Sequence, residues 1–232
     1  MASGEMSEAD FTLFLSTFLG CAKAFARDGA ILFVFMDWRH LFELTCAGRQ
    51  NDLDLKNLVV WAKDNAGMGT FYRSRHELVF VFKNGDAPHT NTFELGQHGR
   101  YRTNVWEYAG VNTFRAGRLD ELAMHPTVKP VAMLADAIRD VTGRGALVLD
   151  PFAGSGSTLI AAEKTGRHAC CIEYEPKYCD VIVRRWQAYT GKAATFDGTD
   201  LTFEDFEAAR TASTPVAAPF PSSADGNQDL PL

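Results

Sequence analysis

The sequence predicts an α/β domain whose core is a sheet covered by helices on both faces. The chain has 232 residues, of which 46% are hydrophobic and 22% charged, which is enough to bury one large core. Short continuous apolar runs alternate with longer runs of helical spacing, and Leu147–Thr158 has a strand–glycine loop–helix pattern. Both observations are typical of a doubly wound sheet.

The N-terminal half contains two predicted helices and three predicted strands. The helices have apolar residues at three- to four-residue spacing and run from Ser7 to Asp28-Gly29 and from about Trp38 to Cys46. The strands are short apolar runs: Ala30–Met36, Leu58–Trp61 and Leu78–Phe82. A glycine-rich loop, residues 65–70, separates the last two strands, and residues 84–124 form a long polar stretch without a clear period.

The C-terminal half predicts a helix followed by a strand–helix–strand–helix unit. The three helices are Pro130–Val141, Ser157–Lys164 and Pro176–Tyr189, and the two strands are Ala146–Leu149 and His168–Ile172. These elements complete the folded domain, which we place at residues 1–196.

Charge separates this domain from the rest of the chain. The net charge is −6, and residues 197–232 carry seven acidic side chains and one arginine, so residues 1–196 are neutral overall. Four of the nine prolines lie in Thr211–Leu232, which predicts an acidic extension that ends in a disordered tail.

Several classes of protein are excluded by composition. The apolar run Ala30–Met36 is too short to span a bilayer, and the first ten residues are acidic where a signal peptide is basic. The five cysteines are odd in number and contain no Cys-x-x-Cys pair, which disfavours a disulfide framework or a zinc site. We therefore expect a soluble cytoplasmic protein without a metal.

The segment Leu147–Thr158 carries the main chemical signal. Its strand ends at Asp150, and Gly154 and Gly156 turn the chain into a helix at the edge of the sheet where ligands bind. Glu173 ends the next strand, 19 residues after Gly154, where a carboxylate can accept hydrogen bonds from the hydroxyls of an adenosine ribose. For the loop alone, an ordinary tight strand–helix turn is the alternative.

The loop differs from the common nucleotide-binding motifs. Leu159 stands where a dinucleotide fingerprint has its third glycine, and no Gly-Lys-Ser/Thr of a P-loop is present. Asp150 and Phe152 add an acid and an aromatic ring, which suit a ligand with an ammonium group and an adenine. These features favour S-adenosylmethionine.

Several motifs together resemble the DNA amino-methyltransferases, which modify the exocyclic amine of adenine or cytosine. Asp150-Pro-Phe-Ala-Gly-Ser-Gly-Ser-Thr158 resembles motif I of that family, His125-Pro-Thr-Val-Lys-Pro130 motif X, and Cys171-Ile-Glu-Tyr-Glu-Pro-Lys-Tyr178 motif II. Asp37-Trp-Arg-His40 and Phe71-Tyr-Arg-Ser-Arg-His-Glu77 resemble its central motifs. The resemblance covers about 7–192, and its order implies the circularly permuted β-type of a Rossmann-like methyltransferase sheet.

The resemblance implies a role for individual residues. Residues expected to line the methionine part of the cofactor and the loop are Asp150, Phe152, Gly154, Ser155 and Gly156. Glu173 is expected to hold the ribose, and Thr127 and Lys129 the cofactor carboxylate.

Double-stranded DNA is the implied partner. Arginines interleaved with aromatic residues predict phosphate contacts and stacking, and the residues chosen are Arg73, Arg75, Arg102 and Arg115. The alternative is a loop packed by its own aromatics with solvated arginines.

The catalytic motif of the family, Asp/Asn/Ser-Pro-Pro-aromatic, has no counterpart in this sequence, which contains no Pro-Pro pair. In the β-type order the motif precedes the Ser7 helix, so we expect it upstream of Met1 and name no catalytic residue. The strand that carries it is central in the family sheet. We therefore expect a truncated chain, or one that is completed by an N-terminal fragment or subunit, without that strand.

The sequence leaves three alternative functions open. The first is a site-specific DNA methyltransferase acting on adenine ahead of cytosine. The second is a non-catalytic module that binds S-adenosylmethionine or DNA. The third is a nucleotide-dependent oxidoreductase, against which Leu159 argues.

Overall fold

The computed structural model describes residues 6–67, 71–97, 101–110 and 128–213. The chain divides into two compact units, Met1–Thr190 and Gly191–Leu232. The helices are α1 (Glu8–Phe25), α2 (Leu41–Gln50, preceded by a 3-10 turn at Trp38–His40), α3 (Val131–Val141), α4 (Ser157–Thr165), α5 (Pro176–Thr190) and α6 (Phe203–Ser213). The strands are β1 (Ile31–Met36), β2 (Leu53–Ala62), β3 (His76–Asn84), β4 (Val105–Glu107), β5 (Leu147–Asp150) and β6 (His168–Cys171).

Helix α1 begins where its capping residue predicts. The Ser7 hydroxyl accepts a hydrogen bond from the Asp10 backbone N–H at 3.2 Å, which satisfies one of the free donors of the first turn. Leu15 and Leu19 of α1 are buried against β3, where Phe80 and Phe82 belong to the same core cluster. This cluster fixes α1 and α2 on one face of the first sheet.

The first sheet is mixed rather than parallel. Its order is β1-β3-β2-β4, with β3 antiparallel to both β1 and β2, and with β4 parallel to β2. The connection from β2 to β3, residues 63–75, contains no helix in its described part, and the two strands form an antiparallel pair. Strand β4 lies in the stretch predicted to be irregular, and its three residues are too few to show a period.

The second sheet contains β5 and β6, which run parallel with α4 between them. Phe33 of β1 and Val148 of β5 pack against one core cluster, to which α3 contributes Met133 and α4 contributes Ala161. Strands β1 and β5 thus rest on a common helical layer, yet β1 pairs only with β3 and β5 only with β6 among the described strands. This is the arrangement expected of a Rossmann-like sheet without its central strand.

The opposite face of the second sheet is open in the described part of the chain. Leu147 is 74% exposed and Leu149 is 43% exposed, while Val148 between them points into the core. Strands of a doubly wound sheet normally bury both faces. The β5–β6 pair therefore has helices on one face, whereas β1–β3–β2 has them on both.

The second unit is built around α6. Thr195 and Thr202 form an isolated antiparallel bridge, and the Phe196 ring lies 4.9 Å from the Phe206 ring. The sequence predicted an acidic extension here, and α6 shows that part of it is helical. The predicted disordered tail lies outside the described residues beyond position 213. Within the described ranges, no helix has the length and apolarity needed to cross a membrane.

Candidate cofactor and nucleic-acid sites

The loop between β5 and α4 depends on two glycines. Gly154 has a φ of 54° and Gly156, the N-cap of α4, has a φ of 78°, both in the left-handed region that favours glycine. The Asp150 carboxylate accepts a hydrogen bond from the Phe152 N–H at 3.0 Å. The strand end, the turn and the helix start thus lie within eight residues, Asp150–Ser157, as the sequence predicts.

The space around Gly156 also disfavours a side chain at this position. A Cβ atom at this position would lie 3.0 Å from Cγ2 of Ile182 in α5. The sequence predicts that both glycines let the backbone approach a ligand closely. At Gly156, helix α5 also approaches the backbone closely.

Glu173 lies just beyond β6 and contacts the loop directly. One carboxylate oxygen accepts the Gly154 N–H at 2.7 Å, and the other accepts the Glu175 N–H at 3.0 Å. Each carboxylate oxygen can accept two hydrogen bonds, so both retain capacity for ribose hydroxyls. The position and chemistry of Glu173 therefore fit the nucleoside of S-adenosylmethionine.

Phe152 and Ser155 face different surroundings. The Phe152 ring is largely exposed and packs edge-on against Phe18 of α1, with 4.9 Å between ring centroids. Ser155 is buried, and both its carbonyl and its hydroxyl oxygen accept hydrogen bonds from Arg185 of α5. Sequence reasoning missed Arg185. Its spacing of three residues from Ile182, on the same helix face, could have pointed to it.

Lys129 lies immediately before α3 and takes part in a cluster of charges. Its ammonium group is 3.2 Å from Glu77 Oε2, and Lys63 donates to Glu77 Oε1 at 2.5 Å. Lys129 also lies over the rings of Phe35 and Trp61, at 5.4 and 5.8 Å. Burial raises the pKa of Glu77, but the two lysines lower it by more, so the net pKa falls below its ordinary value.

Lys129 lies near the start of α3, which precedes β5 by a short connection. Because a helix that packs back along the following strand begins near the carboxyl end of that strand, we expect Lys129 near the end of β5. An ammonium group has three donors, and the contact with Glu77 leaves donors for a ligand carboxylate. Thr127, the other residue predicted to bind that carboxylate, lies outside the described residues.

The predicted DNA-binding arginines differ in their surroundings. Arg73 is exposed and donates to the backbone oxygens of Gly67 and Ala66 at 2.9 and 3.2 Å. Arg75 is exposed and lines a cavity of about 260 Å³ together with Lys63. Arg115 lies outside the described residues.

Arg102 occupies a structural position instead. Its side chain is 13% exposed, donates to Asp140 at 2.9 Å and to the Tyr108 hydroxyl at 3.1 Å, and stacks over Trp106. Burial lowers the pKa of Arg102, but Asp140 and Tyr108 together raise it by more, so the net pKa lies above its ordinary value. Burial also raises the pKa of Tyr108 to about 12, helped by its hydrogen bond to Asp136. The predicted contact of Arg102 with DNA does not fit this geometry, because the guanidinium points into the protein.

Exposed aromatic rings lie beside Arg73. Phe71 and Tyr72 are 85% and 89% exposed, with ring centroids 4.4 Å apart. Trp38 is also exposed and donates from its indole N–H to Ser74 at 3.2 Å. The surface formed by Trp38, Phe71, Tyr72, Arg73 and Arg75 therefore combines cations with stacking rings.

The described elements have the Rossmann-like fold of the methyltransferases, and the loop and Glu173 lie where β5 and β6 end. The chain matches the DNA methylase family over residues 2–184 and belongs to that family.

Curated relatives carry the same class of name. The chain is 24% identical over 191 residues to the type II methyltransferase M2.MboI of Moraxella bovis, covering 79% of this chain and 68% of that protein. It is 30% identical over 156 residues to the DNA adenine methyltransferase YhdJ of Escherichia coli K12, covering 56% and 52%. The match to M2.DpnII of Streptococcus pneumoniae is 26% identical and covers 72% and 64%. The chain thus spans about half to two thirds of the length of these relatives.

Solved structures support the fold. The complex of M1.HpyAVI with S-adenosylmethionine has a TM-score of 0.64 at 21% identity, covering 76% of this chain and 84% of that one. The PvuII cytosine-N4 DNA methyltransferase has a TM-score of 0.66 at 15% identity, covering 80% and 74%.

Proposed function

We propose that this chain is the cofactor-binding portion of a site-specific DNA methyltransferase that acts on an exocyclic amine, adenine ahead of cytosine. The observation that carries the proposal is the Glu173 carboxylate, which holds the Gly154 amide at 2.7 Å where β5 and β6 end. The name of the relative YhdJ supports adenine as the target base.

The binding roles proposed here are those that the sequence predicts, and the geometry of the described residues, which do not include Thr127, supports them. Glu173 accepts hydrogen bonds from the ribose, and Asp150, Phe152 and residues 154–156 line the loop. Lys129, together with Thr127, receives the carboxylate of the cofactor, since Lys129 retains ammonium donors. S-adenosylmethionine supplies the methyl group when it is bound.

The proposed DNA surface contains Arg73 and Arg75, both of which are exposed. Phosphate contacts by these arginines, with stacking on Phe71 and Tyr72, suit double-stranded DNA with an unstacked base. Arg115 remains a candidate for the same surface, and Arg102 is assigned to the interior.

The group that receives the target amine comes, in this proposal, from an additional extended segment. Strands β1 and β5 each lack a neighbour on one side among the described strands, and both rest on the helix layer that contains α3. A strand added between them would end at the same edge as Asp150. The Asp/Asn/Ser-Pro-Pro-aromatic motif, placed at that end, would lie beside the cofactor loop.

A binding experiment tests the cofactor assignment. Titration calorimetry with S-adenosylmethionine should show binding to the full chain and about tenfold or greater weakening in Glu173→Ala, the loss expected for hydrogen bonds to a charged group. Glu175→Ala, an exposed neighbour, is the matched control and should bind normally. Binding of a nicotinamide dinucleotide in place of S-adenosylmethionine would instead support an oxidoreductase.

A non-catalytic binding module is the second candidate, favoured by the lack of a Pro-Pro pair in the sequence. Transfer of a radiolabelled methyl group to DNA distinguishes the two functions. Transfer by the chain alone would eliminate the module. Transfer only when a segment bearing the missing motif is supplied supports the completed methyltransferase, and no transfer with a bound segment supports the module.

A further inference from the structure

Helix α5 reaches the cofactor loop through the side chain of Arg185. The Nη1 atom of Arg185 lies 3.0 Å from the Ser155 carbonyl oxygen, 3.2 Å from the Ser155 hydroxyl and 3.0 Å from the Ser157 hydroxyl. Ser155 and Ser157 are only 4% and 5% exposed. One cation from a neighbouring helix thus holds three buried oxygens of the turn.

The turn needs an external contact to keep one shape. Gly154 and Gly156 have no Cβ atom, and glycine has more backbone freedom to lose than any other residue. On one side the Gly154 amide is held by Glu173. On the other side Ile182 packs against Gly156 and Arg185 binds Ser155 and Ser157, so α5 supplies the second half of the support.

Helix electrostatics do not explain the position of Arg185. Its guanidinium lies beside the first turn of α4, where the positive end of the helix dipole disfavours a cation. The three oxygen acceptors compensate for that repulsion, because hydrogen bonds from a charged donor are stronger than neutral ones. The hydrogen bonds from Arg185 therefore stabilise the shape of the loop, although the positive charge is unfavourable at the N-terminus of α4.

We propose that Arg185 is a positioning residue for S-adenosylmethionine: it fixes the Ser155–Ser157 backbone so that the loop keeps the form that the cofactor requires. The inference rests on the proposed function, in which this loop binds S-adenosylmethionine. Arg185 acts through the loop and makes no contact with the cofactor itself.

Two variants separate positioning from a general effect on stability. Arg185→Met keeps most of the side-chain length and removes every donor. Arg184→Met is the matched control, since Arg184 is the adjacent residue, is about half exposed and lies 4.0 Å from Asp180. Hydrogen exchange at residues 153–158, thermal unfolding and calorimetric titration with S-adenosylmethionine are compared for both variants and for the wild-type chain.

The expected result is local loosening with weaker binding. Arg185→Met should exchange the loop amides faster and bind S-adenosylmethionine about tenfold more weakly, the loss of a hydrogen bond to a charged donor. Arg184→Met should match the wild type. Arg185→Lys, which keeps a cation with rotatable donors, should recover part of the affinity.

The outcomes also separate this inference from the proposed function. A wild-type chain that binds no S-adenosylmethionine contradicts the proposed function, and exchange of the loop amides in the absence of cofactor still tests the contact with Arg185. A wild-type chain that binds, with an Arg185→Met variant of equal affinity and equal loop exchange, overturns the positioning role. A lowered unfolding temperature with unchanged affinity does so as well.

Discussion

Glu77 links two lysines that come from different parts of the chain. Lys63 follows β2 and Lys129 precedes α3, and each contacts one oxygen of the Glu77 carboxylate. All three side chains are about three-quarters buried, so the attraction is screened less than in a surface pair. Glu77 therefore stabilises the fold. It also restricts the position of Lys129, the residue proposed to bind the cofactor carboxylate.

Glu77→Gln should lower the free energy of unfolding at neutral pH by about 1–3 kcal/mol, between the values for exposed and buried pairs. The pKa of Glu77 in the folded protein is below its ordinary value of 4.5. Its contribution is therefore fully present above about pH 4.5 and is lost as the pH falls through the lower folded pKa. Urea unfolding of both proteins from pH 7 to pH 3 checks this, and the difference should shrink on acidification.

A matched control for Glu77 is available on the neighbouring strand β2. Asp54 is 3.1 Å from Lys56, and both side chains are largely exposed. Asp54→Asn should change the free energy of unfolding by less than about 0.5 kcal/mol at any pH. A pH-independent loss in Glu77→Gln would contradict the ion-pair explanation.

Substitutions of Arg102 and Arg73 should affect different properties: the stability of the fold for Arg102, and DNA binding for Arg73. Asp140 is fully buried, so Arg102→Met breaks a buried ion pair by removing one of its members and should cost about 3–5 kcal/mol. Arg73→Met removes an exposed charge and should leave stability within about 0.5 kcal/mol while weakening DNA binding. Chemical unfolding and DNA binding at two salt concentrations measure both effects. Normal stability in Arg102→Met would restore it as a candidate for DNA contact.

At the scale of elements, local signals in the sequence predicted the elements that surround the cofactor loop. The cap at Ser7, the apolar runs and the two glycines are contained within a few neighbouring residues. The Arg102–Asp140 pair joins residues 38 positions apart, and Arg185 reaches Ser155 across 30 positions. Such contacts depend on how the elements pack, which the sequence pattern does not specify. For the same reason β4, which pairs with distant β2, was not predicted.

The packing of the loop against α5 can be tested at Gly156. Gly156→Ala places a Cβ in the left-handed region, at a cost of about 1–2 kcal/mol, and brings it against Ile182. Because the loop shape changes, this variant should also bind S-adenosylmethionine more weakly. Adding Ile182→Ala relieves the contact but not the backbone strain, so it should restore the loop shape only in part.

Gly143→Ala is the control for that substitution, because a Cβ there meets no atom within 4 Å and Gly143 does not have a positive φ. Thermal unfolding and calorimetry on the three variants separate strain from contact. If Gly156→Ala behaved like Gly143→Ala in both measurements, the α5 contact would have no role in shaping the loop.

The described strands form two separate sheets, one of four strands and one of two. Strands β1 and β5 each have an edge without a paired strand in the described part of the chain, and both pack on the same helix layer. Such edges bind extended polypeptide readily. The exposed Leu147 and Leu149 add apolar surface beside one of these edges. Both features suit a surface that accepts one further strand.

Supplying a strand that ends in Asp-Pro-Pro-Tyr, as an N-terminal extension or a separate peptide, should therefore join the two sheets. Backbone hydrogen bonds to β1 and β5 should slow amide exchange in 31–36 and 147–150 and raise the unfolding temperature, since each new pair replaces a contact with water. Leu147→Asn should alter the isolated chain by less than about 0.5 kcal/mol, because the side chain is already exposed, yet it should weaken complementation. Leu13→Asn, at an exposed position on α1, should leave complementation intact. A supplied strand that protects neither β1 nor β5 would show that the two sheets do not share a missing neighbour.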